Sequence, residues 1–306
     1  MFDRRSARPR VVRRLVLGRL GLAATVTGLA AALTVQVPAA QAASVAAASP
    51  TCRTAQGFVA GATGKLYRVS DPDVASSNAS LAVGDRVGGG WTSAQFAWMG
   101  AGGDGVLYGL TWAGQIKWFK YDDTAARWDA ASGRVVGVGF TPGRGIVNIG
   151  VGVEGRFYVV RPTGKLVEFH HTGWQNGSAT WQEAQGELVG SGWKPDDVIV
   201  PVGDGSVYLQ RDARLFWYRH SDPTAGPLSW TQSQVGGGGW VMTSIVSAGG
   251  GVLYATTPSG AVKRYQHLDP IGGAAQWTAN LGVAAGPSVE ATSLGLVIDP
   301  GTCSLP

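Results

Sequence analysis

The chain has 306 residues, 44% of them hydrophobic and 15% charged, with 47 glycines, 12 tryptophans and 25 Lys+Arg against 20 Asp+Glu. Seven of the arginines and one aspartate lie in residues 1–42, which leaves 18 basic against 19 acidic residues in the remainder. A near-neutral body without a clustered basic surface excludes the counterion-release binding that nucleic acids require.

The N-terminus reads as an export signal. Arg4, Arg5, Arg8, Arg10, Arg13 and Arg14 precede an Ala-, Gly- and Leu-rich run from Leu20 to Val37, and Ala40-Gln41-Ala42 is a small-x-small cleavage pattern. Residues 1–42 are therefore predicted to be a secretory signal peptide, and the mature protein to be secreted with no stable membrane anchor. The apolar run nears the length of a membrane span, but it is poor in Leu, Ile and Phe and ends at the cleavage pattern. Arg13-Arg14-Leu15-Val16-Leu17 also suits a twin-arginine signal, which leaves the export route open. Residues 43–51 read as a flexible leader and residues 52–306 as one domain. Cys52 and Cys303 stand at opposite ends of that domain, and two thiols in an exported chain are expected to pair.

The rest of the chain repeats. Tyr108, Tyr158, Tyr208 and Tyr254 each close a Gly-containing turn and a short apolar run, at steps of 50, 50 and 46 residues. A second piece follows each, from Gly64, Gly114, Gly164, Arg214 and Gly260. A third carries Trp128, Trp181, Trp230 or Trp277. A fourth follows a glycine cluster that ends on Trp91, Phe140, Trp193 or Trp240; the fifth such cluster ends on Pro287. Every piece is short, alternating or aromatic-rich, and bounded by Gly, Asp, Asn or Pro, which is the signature of strands. Four strands per period of this length predict an all-β fold, a five-bladed β-propeller. The first strand, "QGFVAG" from Gln56, is matched to "DGVLYG" from Asp104. The last copy, "LGLVIDPG" from Leu294, stops where a new blade needs a partner. The N-terminal strand is thus expected to complete the blade begun by the C-terminus and to bring Cys52 beside Cys303.

The run "RLFWYRHSDPTAGPLSWTQSQVGGGGW", residues 214–240, together with its copies, resembles the tachylectin-2 type of five-bladed lectin propeller, especially its bacterial secreted relatives. The resemblance spans roughly residues 56–300. It implies non-catalytic, multivalent binding of glycans bearing N-acetylglucosamine or N-acetylgalactosamine, between adjacent blades and near the glycine loops, by a monomer. Carried over by position, the ligand-binding residues are Trp91, Phe140, Trp193 and Trp240, with Tyr108, Tyr158, Tyr208 and Tyr254 from the facing strands. The pattern departs at Phe140 and Pro287. An aromatic plate for the C–H face of a pyranose, beside glycines that let backbone groups approach, gives the same loops a physical rationale. Packing of the wedges between blades is the competing role. It is expected for Trp128, Trp181, Trp230 and Trp277, and stays open for the other aromatics.

Other signals are set aside. His171, His220 and His267 hold one repeat position in three blades and cannot converge on a metal, so a surface role is expected for them. "GVGFTPGRG", from Gly137, imitates a dinucleotide fingerprint without a following helix. No opposed carboxylate pair or activated nucleophile stands out, and no cofactor is expected. A protein-interaction scaffold, and less readily a propeller-type glycoside hydrolase, remain the alternatives.

Overall fold

The computed structural model describes residues 49–74, 81–182, 184–203, 205–220, 229–278, 281–282 and 294–306, all within one compact unit, Ala46–Pro306. The predicted signal peptide, the leader up to residue 48 and the Pro287 copy lie outside the described residues. Among the described residues no helix is long and apolar enough to cross a membrane.

The fold is a five-bladed β-propeller of antiparallel sheets. The second blade has Phe96–Gly103 innermost, then Val106–Thr111 and Ile116–Asp122, with Arg127–Trp128 and Arg134–Gly137 both pairing on the outer side of the last. The third runs Asn148–Val151, Arg156–Val160, Leu166–His170 and Glu187–Gly190. The fourth runs Val198–Gly203, Ser206–Arg211, Arg214–His220 and Trp230–Gly236. The fifth runs Ser244–Gly249, Val252–Thr256, Val262–Gln266 and Leu281–Gly282.

The first blade is shared by the two ends of the chain. Its inner strand is Gly295–Ile298, which pairs with Ala55–Ala60 from Gly57↔Ile298 to Ala60↔Gly295; Leu66–Asp71 and Ala82–Gly88 complete it. A second latch lies beyond it. Cys303–Ser304 runs beside the inner strand of the fifth blade at Gly249, and Thr51–Cys52 pairs onto it with Cys52 opposite Cys303. Their sulfurs are bonded at 2.09 Å, joining residues 251 apart. The expected closure and disulfide are both present.

One register differs from expectation. Phe58 lies opposite Arg68, as Tyr108 lies opposite Trp118, so Phe58 rather than Ala60 takes the tyrosine position. The turn into the third strand sets this count. Gly61 N–H bonds the Lys65 carbonyl as Thr111 N–H bonds that of Gln115, which makes Leu66 the counterpart of Ile116. The glycine that precedes Tyr108 serves a tight turn from the inner strand. The first blade needs no such turn, because its inner strand comes from the other end of the chain.

The five inner strands neighbour one another in cyclic order around the axis. Glycine permits the close approach: a Cβ on Gly150 would meet the Ile199 carbonyl at 2.9 Å, and one on Gly100 would meet Val151 at 2.6 Å. They leave a narrow axial cavity of about 60 Å³, lined by Met99, Ile149, Val200, Ile245 and Val297 among others. The buried apolar residues fall into five clusters, one in each wedge between neighbouring blades. Burial of these wedges is the main force holding the ring, since each sheet alone leaves two faces in water.

Candidate loop sites at the blade boundaries

Four boundaries among the described residues are crossed by a glycine-rich loop that runs from a valine to an aromatic, leaves the outer strand of one blade and enters the inner strand of the next. The aromatic's backbone N–H donates to the carbonyl of the turn residue before the third strand: Trp91 to Gly64 (3.0 Å), Phe140 to Gly114 (3.0 Å), Trp193 to Gly164 (3.1 Å) and Trp240 to Ala213 (3.0 Å). The loop's valine carbonyl is claimed from the other side. The indole N–H of Trp128 donates to Val87 (2.6 Å), Trp181 to Val136 (2.7 Å), Trp277 to Val235 (2.6 Å) and Trp230 to Val189. The third-piece tryptophans therefore pack the wedge and also staple each blade to the loop before it.

A third ring comes from the next blade's third strand. Trp91 packs on Phe119 (centroids 4.8 Å), Phe140 on Phe169 (5.1 Å), Trp193 on Tyr218 (5.0 Å) and Trp240 on Tyr265 (4.7 Å). Burial pushes the Tyr218 and Tyr265 hydroxyls above the ordinary tyrosine range, so both stay neutral hydrogen-bonding groups. Trp91, Phe140 and Trp193 are buried, 6% exposed or less, and Trp240 is half-buried.

Over these rings the loops stay open. Gly139 and Gly239 have φ of 87° and 113°, a backbone conformation that disfavours side chains, and no atom lies within 4 Å of a Cβ placed on either. Two cavities sit there. One of about 680 Å³ is lined by Gly137–Phe140, Arg161, Phe169 and Trp181; the other, of about 330 Å³, by Gly236–Trp240, Tyr265 and Trp277. They occupy equivalent places at the second–third and fourth–fifth boundaries.

The recurrent tyrosines lie deeper. Tyr108, Tyr158, Tyr208 and Tyr254 are all buried in the wedges. The Tyr108 hydroxyl meets His171 Nδ1 of the next blade at 2.8 Å, and Tyr208 meets His267 Nδ1 at 2.7 Å. The other ring nitrogen of each histidine faces a carbonyl, that of Ser178 or Ala274, both at 2.7 Å. A carbonyl only accepts, so Nε2 carries the proton and Nδ1 accepts from the tyrosine. Burial lowers both histidine pKa values, partly opposed by those carbonyls, and raises that of Tyr108. Tyr254 donates instead to Asp71 (2.7 Å), which also holds Arg264 (2.6 Å). The expectation of a surface role for the histidines is thus corrected for His171 and His267, which are buried because each ring packs between the tyrosine of the preceding blade and the tryptophan of its own, Trp181 or Trp277. Among the described residues no group of His, Cys, Asp or Glu could hold a metal ion.

The Tachylectin family profile matches residues 60–289, three quarters of the chain. The chain belongs to the Tachylectin family. No protein of curated function matches it. Among solved structures it is similar to a chain from a study of the de novo evolutionary emergence of a symmetrical protein, with 15% identity, 79% of this chain and 97% of that chain covered, and TM-score 0.49. It is also similar to a putative 6-phosphogluconolactonase of Bacteroides fragilis (12%, 77% and 83%, 0.41) and to the Aleuria aurantia lectin with α-methyl-L-fucoside (15%, 79% and 83%, 0.39). Likenesses this distant carry no argument about function.

Within this Tachylectin propeller the structure gathers a loop aromatic, a third-strand ring and a stapling tryptophan around one opening at two boundaries, Phe140, Phe169 and Trp181 at one and Trp240, Tyr265 and Trp277 at the other, and sets the tyrosines apart in the core beneath. The third-strand rings Phe119, Phe169, Tyr218 and Tyr265 were not singled out from the sequence. Their signal was present, an aromatic at the same offset in four third strands.

Proposed function

We propose that this is a secreted, non-catalytic carbohydrate-binding protein that takes N-acetylated amino sugars in the loop openings between blades. The observation that carries the reading is the repeated ring-floored opening rimmed by glycine peptides, seen at two equivalent boundaries. A pyranose has a partly apolar C–H face and a rim of hydroxyls; the acetamido group adds a methyl, a donor and an acceptor. Trp91, Phe140, Trp193 and Trp240 with their partner rings supply the apolar floor, and the glycine peptides supply directional donors and acceptors. Tyr108, Tyr158, Tyr208 and Tyr254 act from below by holding the separation of the blades. Among the described residues neither cavity has a carboxylate in its lining, whereas glycoside hydrolysis uses a pair of them. Several weak sites on one rigid monomer multiply affinity for a sugar-dense surface.

Calorimetric titration with N-acetylglucosamine and N-acetylgalactosamine tests this. Several equivalents of one sugar should bind per chain. A Cβ on Gly237 meets nothing within 4 Å, so Gly237→Phe should fill the fourth–fifth opening and remove one equivalent without unfolding the ring. No heat of binding for either sugar at millimolar concentration would sink the reading.

A further inference from the structure

The turn between second and third strands borders the loop opening before it; Arg161 of one such turn lines the cavity at the second–third boundary. The residue after the first position of this turn is Ala62, Trp112, Pro162, Asp212 and Pro258 in the five blades. Only the second blade puts a large ring there. Trp112 is 57% exposed, yet it is held in place, because its indole N–H donates to the Ser93 carbonyl at 2.7 Å. Ser93 lies two residues past Trp91, on the loop of the first–second boundary. The polar edge of the indole is thus satisfied against the loop, and most of the ring faces water beside it. A fixed aromatic plate outside the opening gives C–H groups of a sugar a surface that the other boundaries lack.

We infer that Trp112 makes the first–second boundary an extended site: one pyranose sits at the Trp91 loop and the next residue of the same glycan chain stacks on the indole. The inference rests on the carbohydrate-binding reading and concerns chain length, a property that reading leaves unspecified. One boundary would then prefer oligosaccharides while the others take single residues or chain ends.

The test is calorimetry on the full chain with two probes, N-acetylglucosamine and triacetylchitotriose. The monosaccharide should titrate one class of sites. The trisaccharide should show an additional class of a single site, about tenfold tighter, the scale of one aromatic contact. Trp112→Ala should abolish that tight class and leave the monosaccharide titration and the thermal midpoint unchanged, and Trp112→Phe should retain most of it. A trisaccharide isotherm without a tighter class, or one in which the class survives Trp112→Ala, overturns the extended site and leaves the functional reading standing. Absence of binding by both probes removes both.

Discussion

The wedge between the second and third blades and the wedge between the fifth and first use the same positions with different chemistry. In the former, Tyr108 donates to a neutral His171, and the Trp118 indole N–H donates to the Trp174 carbonyl at 2.6 Å. In the latter, Tyr254 donates to Asp71, and Arg264, at the position of Trp118, bonds both Asp71 and the Asp73 carbonyl at 2.9 Å. The direction of donation across the wedge is kept while the groups change from neutral to charged. The location explains the difference. Asp71 lies in the N-terminal strands of the first blade and Arg264 in the C-terminal blade, so this wedge crosses the seam where no peptide bond links the strands of one sheet. At the seam the chain gathers charge-assisted and covalent links: the Asp71–Arg264 pair, the disulfide, and Arg53, which bonds Asp299 at 2.9 Å and Asp104 at 3.1 Å.

The covalent link gives the largest expected effect. Joining residues 251 apart restricts the unfolded chain by on the order of 5 kcal/mol through loop-closure entropy. Replacing both cysteines by serine should lower the unfolding free energy obtained from denaturant titration by about that much. A loss below about 1 kcal/mol would show that the strand ladder and ion pairs close the ring unaided.

The ion pair comes next. Arg264 and Asp71 are both buried, so Asp71→Ala removes the carboxylate that faces a buried guanidinium and should cost about 3–5 kcal/mol in equilibrium unfolding. The double variant Asp71→His with Arg264→Trp transplants the chemistry of the other wedge and should recover most of that loss. If the double variant is no more stable than Asp71→Ala, the two wedges are not interchangeable, and the seam needs its charges. In the neutral wedge the smaller counterpart is Tyr108→Phe, which leaves His171 Nδ1 buried without its donor. It should cost about 1–3 kcal/mol by the same unfolding measurement.

The comparison also separates what the sequence made legible from what it did not. The period set by Tyr108, Tyr158, Tyr208 and Tyr254, the fivefold recurrence of the pieces that follow them and the terminal cysteines led to the ring, its blade number and its closure. A repeat equates residues between blades, but it does not say which neighbour each one faces. The Trp181–Val136 staple and the Tyr108–His171 bond therefore stayed hidden, and His171 was read as a surface residue. The first strand was misregistered by two residues for a related reason: its glycine was matched to a turn that the seam makes unnecessary. Trp112 departs from the repeat, so the periodicity carries no signal for it. The loop aromatics recur visibly in the sequence, but their burial depends on the Phe119, Phe169, Tyr218 and Tyr265 rings contributed across the boundary.

The subtlest test uses pH, because the buried histidines of the two Tyr–His wedges and the buried carboxylate beside the seam shift in opposite senses. His171 and His267 have pKa values lowered from 6.5 by burial. The folded state thus binds fewer protons than the unfolded state just below pH 6.5, and their contribution to stability is complete above 6.5 and falls on acidification toward their folded values. Asp299, beside the seam, has its pKa raised from 3.8, chiefly by burial and against the pull of Gly301 N–H and Arg53. Its folded state binds more protons, so its contribution is greatest below 3.8 and is lost as pH rises through its folded value. Unfolding followed from pH 7.5 downward should therefore show a loss beginning near 6.5 that is reduced in the His171→Asn, His267→Asn double variant. Asp299→Asn should leave that first loss unchanged and alter only the more acidic part of the curve. If the double histidine variant loses stability over the same interval as the wild type, the neutral Tyr–His bonds do not govern how these wedges respond to acid.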